Sequence, residues 1–191
     1  MSRFNKNFTL LCLLPCTLLM VVLMAKTGAT LKTPATPKGI INLEFAYTGA
    51  KASAIINSWA NTGAINNVSV AKINTWLDFI FLVFYSLLLY NACKLLAGNF
   101  SGFIFSMGQI IAKGALAAGI CDVLENAGML LILHGYISDV FTMLTFIFSI
   151  IKWILAFTAV FYMAVGALLI FYRKISAKVS RNKGSLVSIT L

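Results

Sequence analysis

Residues 114–126 read Gly-Ala-Leu-Ala-Ala-Gly-Ile-Cys-Asp-Val-Leu-Glu-Asn and form the centre of a long apolar run. Asp122, Glu125 and Asn126 are the polar residues of this stretch. A carboxylate in hydrocarbon is costly, so such residues usually face a bundle interior or a watery cavity and serve a function. The stretch therefore predicts both a membrane helix and the location of a site.

The small and acidic residues of this helix share one side. At about 100° per residue, that face carries Ala115, Ala118, Gly119, Asp122, Glu125, Asn126 and Met129. The opposite face carries larger apolar residues, namely Leu116, Ile120, Leu124 and Leu131, with Ala127. Ala115 and Gly119 form a small-xxx-small pair, which lets another helix approach closely. We therefore expect the acidic face to point into a bundle.

The composition excludes a soluble domain. The chain has 191 residues, of which 60% are hydrophobic and 10% are charged, and its mean hydropathy is +0.93. The apolar residues occur in long runs, which is typical of membrane proteins. We interpret residues 1-191 as a single integral membrane domain, with no room for a second globular one.

Four apolar runs are long enough to span a bilayer, and they set the fold class. We predict an all-α polytopic transmembrane four-helix bundle, with an outer loop that carries a short helix from Thr48 to about Ala60. The predicted spans are about 8-25, 76-97, 114-134 and 150-172, with an outer loop at 26-75 and a cytoplasmic tail of disordered composition at 173-191.

Two of the runs leave alternatives open. The first has the basic start and small residues of a signal peptide, but its length favours an uncleaved helix. The third extends from Phe103 to His134, longer than a bilayer is thick. Either this helix tilts strongly, or residues 103–112 lie at the interface. We prefer the second alternative, because Lys113 then marks the membrane boundary.

The net charge of +10 is better explained by the orientation of the chain in the membrane than by a nucleic-acid partner. Without interleaved basic and aromatic residues at the surface, nucleic-acid binding is not expected. One side of the membrane carries most of the cations, and the positive-inside rule places that side and both termini in the cytoplasm. Its residues are Arg3, Lys6, Lys94, Lys113, Arg173, Lys174, Lys178, Arg181 and Lys183.

Further polar residues are candidates for the same site. Two carboxylates three residues apart cannot both carry charge cheaply in a dry site unless a cation lies beside them, and Lys152 is the candidate cation. It lies either near the outer boundary or within the outer half of the fourth span. Asp78, Glu44 and Tyr85 complete the predicted set, which is expected to open outward. Alternatively, Asp78 lies at a helix start and opposes the helix dipole.

Several functions fit such a site. The leading hypothesis is binding or translocation of a small cation, a proton or a polar-headed lipid. The alternative is a non-catalytic accessory subunit that docks on a larger membrane protein complex, and a membrane-embedded acid-base enzyme is third. A polar network that only fixes helix register is the simplest explanation.

We identify no catalytic residues, cofactor or metal site, because His134 is the only histidine and no nucleotide or Ser-His-Asp pattern occurs.

Several segments together resemble a group of small, largely uncharacterised bacterial four-helix membrane proteins. They are Leu43-Glu44-Phe45-Ala46, Trp59, Leu77-Asp78-Phe79, Tyr85 and Cys121-Asp122-Val123-Leu124-Glu125-Asn126. The Asp-x-x-Glu-Asn core is the most distinctive part. The resemblance implies a bacterial inner membrane and a single site formed by these acids, and it carries no established activity.

Overall fold

The computed structural model describes residues 3–60 and 66–187, with side chains at 8–60 and 66–176. This part of the chain is helical and contains no strand, which confirms the all-α prediction. The elements are α1 (Arg3–Thr27), a 3₁₀ helix (Ala29–Leu31), α2 (Ile41–Glu44), α3 (Gly49–Ala60), α4 (Asn67–Ala97), α5 (Gly102–Leu133) and α6 (Asp139–Val187).

Four of these helices, α1, α4, α5 and α6, are long and apolar enough to cross a membrane, which indicates a multi-pass membrane protein. Helix α4 packs against the other three, whereas α1 packs mainly on α4. Large apolar side chains cover the outside of the long helices. In water such a surface would be unusually apolar, but it suits contact with acyl chains.

The small residues of α5 allow the close packing that the sequence predicts. Gly119 lies against α4, where an added Cβ atom would be 3.0 Å from Ser86 Oγ. Gly108 lies where α4, α5 and α6 meet, and an added Cβ atom there would be 2.6 Å from Ala97 Cβ. These glycines set the helix separation because no side chain keeps the backbones apart.

Helix α4 begins well before its apolar run. Asn66 caps it, with its Oδ1 accepting a hydrogen bond from the Ser69 amide at 3.2 Å. Asp78 is therefore the twelfth helical residue, and its proposed role at a helix start is wrong. Hydropathy detects the apolar part of a helix, whereas the capped first turns of α4 are polar, so the predicted run began only at Trp76.

Helices α5 and α6 also extend beyond the predicted spans. Helix α5 is continuous from Gly102, and both Gly108 and Ala112 are buried, so its first part packs within the bundle. This favours the tilted alternative. Helix α6 continues to Val187 where a disordered tail was predicted, because no proline breaks it after Tyr172. Residues 188–191 and the side chains from 177 onward lie outside the described set.

Residues 28–60, between α1 and α4, form a folded cover over one end of the long helices. The predicted short helix is present as α3, and the Lys51 amide donates to its Thr48 Oγ1 at 3.3 Å. Trp59 on α3 is fully buried and donates from Nε1 to the Leu31 carbonyl and to Thr36 Oγ1, each at 3.0 Å. The apolar face of α3 thus packs at the mouth of the bundle and holds the cover in place.

A prediction concerns the packing of Gly108. Replacing a helical glycine by alanine normally stabilises by about 0.5–1 kcal/mol, but Gly108→Ala overpacks a rigid junction, which typically costs about 1–3 kcal/mol. We expect a lower unfolding temperature in detergent, followed by circular dichroism. Gly114→Ala is the matched control, since an added Cβ atom meets only Leu155 Cδ2 at 3.5 Å. Equal unfolding temperatures for the two variants would contradict this packing.

Candidate functional site

Lys152 of α6 lies at the centre of a buried charge cluster. Its Nζ atom is 2.7 Å from Glu125 Oε2, 3.1 Å from Asp122 Oδ1 and 3.6 Å from Glu44 Oε2. The three carboxylates come from α2 and α5, so one ammonium connects three elements. Glu125 is fully buried, and the side chains of Glu44, Asp122 and Lys152 are at most 8% exposed.

Neutral donors extend the cluster to α4. Tyr85 donates a hydrogen bond from its hydroxyl to Asp122 Oδ2 at 2.8 Å. Asn126 donates from Nδ2 to Asp78 Oδ2 at 3.0 Å and makes a longer contact of 3.4 Å with Asp122 Oδ1. Asp122 is therefore the acceptor through which α4, α5 and α6 are joined.

Glu44 reaches the cluster from the cover. Its Oε2 atom accepts a hydrogen bond from Trp153 Nε1 at 3.3 Å and lies 3.5 Å from Ser149 Oγ. Glu44 ends the four-residue helix α2, and its neighbour Leu43 is fully buried. This anchoring brings a carboxylate from a polar loop into contact with the long helices.

The structure brings all seven sequence-predicted residues into one connected network. They are Glu44, Asp78, Tyr85, Asp122, Glu125, Asn126 and Lys152. All seven residues of the small and acidic face of α5 are buried, so the predicted inward orientation of that face is confirmed. Lys152 is the fourteenth residue of α6. Of the two predicted positions, this fits a lysine within the outer half of the fourth span better than one near the outer boundary. That the network binds a ligand stays a prediction.

Two members of the network were missed from sequence. Ser149 lies about one helical turn before Lys152, and Trp153 directly follows it. All three side chains therefore lie on the same side of α6. This spacing of polar groups within an apolar run was an available signal. Their partner Glu44 lies more than a hundred residues away, which no local pattern indicates.

A cavity of about 500 Å³ adjoins the cluster. Helix α4 lies at its back, and α1 and α6 form its two sides. Asp78, Asp122 and Lys152 line its polar wall, together with Glu44 and Tyr85. The cover closes one end, where Lys32 and Lys38 also line it. The remaining wall is largely apolar, so the cavity combines a charged region with a hydrocarbon-like one.

The cluster contains two acceptors that no described group of the protein uses. Glu125 Oε1 and Asn126 Oδ1 are buried and have no hydrogen-bond partner among the described residues. Buried acceptors of this kind are rare and call for a donor.

No three His, Cys, Asp or Glu side chains of the described part are placed to hold a metal ion. His134 lies apart, exposed at the end of α5, with Nδ1 2.7 Å from the Leu130 carbonyl.

A second prediction concerns Lys152. Removing one partner of a buried ion pair typically costs about 3–5 kcal/mol, because the other charge stays buried and unpaired. Lys152→Met should therefore lower the unfolding temperature and the yield of monodisperse protein. Adding Glu125→Gln should restore part of both, since it removes the nearest orphaned charge. Lys113→Met is the control, because Lys113 is an exposed lysine of α5. If Lys152→Met behaves like Lys113→Met, the ion cluster does not stabilise the fold.

Comparison with known proteins supplies no family for this chain. No protein-family model matches it, and no match is found among curated proteins or solved structures. The resemblance to small bacterial four-helix membrane proteins therefore stays a prediction, and function is argued from the geometry of the cluster and its cavity.

Proposed function

We propose that the chain is a four-span helix bundle of the bacterial inner membrane, with both termini in the cytoplasm. The apolar outer faces of α1, α4, α5 and α6 support a lipid environment. The excess of lysine and arginine near the termini and the α4–α5 connection supports the orientation. In this arrangement the cover, and the end of the cavity beneath it, face outward.

We further propose that the cavity binds a polar-headed amphiphile from the membrane. The observation that carries this function is the shape of the cavity, in which a buried charge cluster forms one wall and the rest is largely apolar. Pockets that fix a ligand by a few polar groups among apolar walls are the usual form of a binding site. A fixed polar network alone would need no adjoining cavity.

The opening of the cavity supports entry from the lipid phase. Val21 of α1 and Phe157 and Val160 of α6 line it and are about half-exposed. These residues would face acyl chains in a bilayer, so a lipid chain could enter between α1 and α6 without crossing water. Because α1 forms one side, an uncleaved first helix is part of the proposed site.

A small cation or a proton is the second candidate ligand. It is favoured by the presence of four buried carboxylates and a single ammonium in the cluster, since a further positive charge would relieve the repulsion between the carboxylates. The apolar part of the cavity has no use in this function. An accessory subunit and an embedded enzyme remain alternatives, and copurification of another chain would favour the first of them.

The orientation predicts which epitopes are accessible. An epitope inserted between Thr62 and Gly63 should bind antibody on intact spheroplasts, because it would lie on the outer side. An epitope at the C-terminus should bind antibody only after the membrane is permeabilised. If the cover faces the cytoplasm, the pattern should be reversed. The C-terminal epitope would then label on intact spheroplasts and the inserted epitope only after permeabilisation, which would reject the orientation.

The binding function predicts a bound amphiphile that a bulky side chain displaces. Purified protein examined by native mass spectrometry should carry a lipid-sized adduct. Val160→Trp should remove it by filling the cavity. Val165→Trp should retain it, because Val165 is a similarly exposed valine of α6 that does not line the cavity. Adducts that are absent from the wild type, or equally present in both variants, would contradict the proposal.

A further inference from the structure

The charge cluster lacks positive charge. Glu44, Asp78, Asp122 and Glu125 are all buried, whereas Lys152 is the only cation that forms an ion pair among the described residues. Burying like charges together is costly unless cations compensate them. A ligand group that enters beside these carboxylates should therefore be positive, and a phosphate or carboxylate group should be repelled.

A ligand in the cavity can supply the unpartnered acceptors with a donor only indirectly, because neither Glu125 nor Asn126 lines the cavity. Glu125 Oε1 and Asn126 Oδ1 are fully buried and lack donors within the described residues. An ammonium group carries three N–H donors and a full charge. At Asp78 and Asp122, which line the cavity, it would replace part of the contact between Lys152 and Asp122. Lys152 would then be free to turn toward Glu125 Oε1.

The apolar part of the cavity sets the size of the ligand. Leu89, which lines it, lies eleven residues beyond Asp78 on α4. At 1.5 Å per residue this is about 16 Å of helix. Leu88, Phe157 and Val160 line the same region. A proton or a bare cation occupies none of this space, whereas a hydrocarbon chain fills it.

We infer that the ligand is an amphiphilic amine, with its protonated amine against Asp78, Asp122 and Glu44 and its chain between α1 and α6. The inference rests on the proposed amphiphile site and adds the charge of the polar group that the site accepts. Lys32 and Lys38 of the cover also line the cavity, and they are the groups that would attract an anionic amphiphile.

The test uses four probes with the full chain in nonionic detergent. They are hexadecylamine, hexadecanol, hexadecyl phosphate and ethylamine. The readout is quenching of tryptophan fluorescence by a chain-brominated hexadecylamine, with unbrominated probes as competitors. Trp153→Phe should remove the saturable quenching, because Trp153 lines the cavity. Trp76→Phe is the control, since Trp76 is an exposed tryptophan of α4 that does not line it.

Hexadecylamine should compete at about tenfold lower concentration than hexadecanol, the factor that corresponds to about 1.4 kcal/mol. Hexadecyl phosphate and ethylamine should compete more weakly than either. Equal or stronger competition by the alcohol or the phosphate would overturn the inference but leave an amphiphile site. Ethylamine matching hexadecylamine would overturn the need for a chain and favour a cation site. The amphiphile site itself would be rejected by two negative results together. The brominated amine would fail to quench Trp153 saturably, and neither the alcohol nor the phosphate would displace a lipid adduct seen by mass spectrometry.

Variants test the carboxylates directly. Asp78→Asn should weaken hexadecylamine about tenfold and leave hexadecanol unchanged, because the substitution removes charge but little volume. Asp139→Asn is the control, since Asp139 is the one acid outside the cluster and its Oδ1 accepts from the Gly49 amide at 2.7 Å. If Asp78→Asn does not fold, Glu44→Gln at the edge of the cluster replaces it. An unchanged preference for the amine in the folded variant would overturn the inference.

Discussion

The contact between one ammonium and three carboxylates organises this protein. Lys152 of α6 binds two acids of α5 and one of α2, and Tyr85 adds α4 through Asp122. In an apolar medium none of these charges can remain alone, so each element is held where the others require it. The positions of the long helices and of the cover are therefore coupled through a single side chain.

This coupling explains why the cover is built as it is. A loop that reaches an intramembrane site must be held firmly, because thermal motion would otherwise withdraw its carboxylate. Trp59 fixes the loop by hydrogen bonds to Leu31 and Thr36, and Leu43 is buried directly beside Glu44. The polar loop thus has a small core that it shares with α4 and α5, and that core positions one wall of the cavity.

Sequence patterns predicted the features that depend on neighbouring residues, namely the long helices and the buried face of α5. The periodicity of α5 identified its buried face, because acids and small residues recur with the helical repeat. The apolar runs located the four long helices, but the start of α4 was misplaced because polar first turns escape hydropathy. The cavity between α1 and α6 had no sequence signal, since helices distant in the chain form it. Trp153 was missed for a related reason, because its role depends on the position of Glu44.

The order in which the chain is synthesised adds a constraint on its assembly. Helix α5 carries Asp122 and Glu125 but no nearby cation of its own, since Lys113 lies nine residues, or about 14 Å, from Asp122. Their counter-charge emerges from the ribosome only with α6, after the short connection 134–138. Insertion of α5 is thus energetically tied to that of α6, and the hairpin they form is the smallest unit in which the acids of α5 meet their cation.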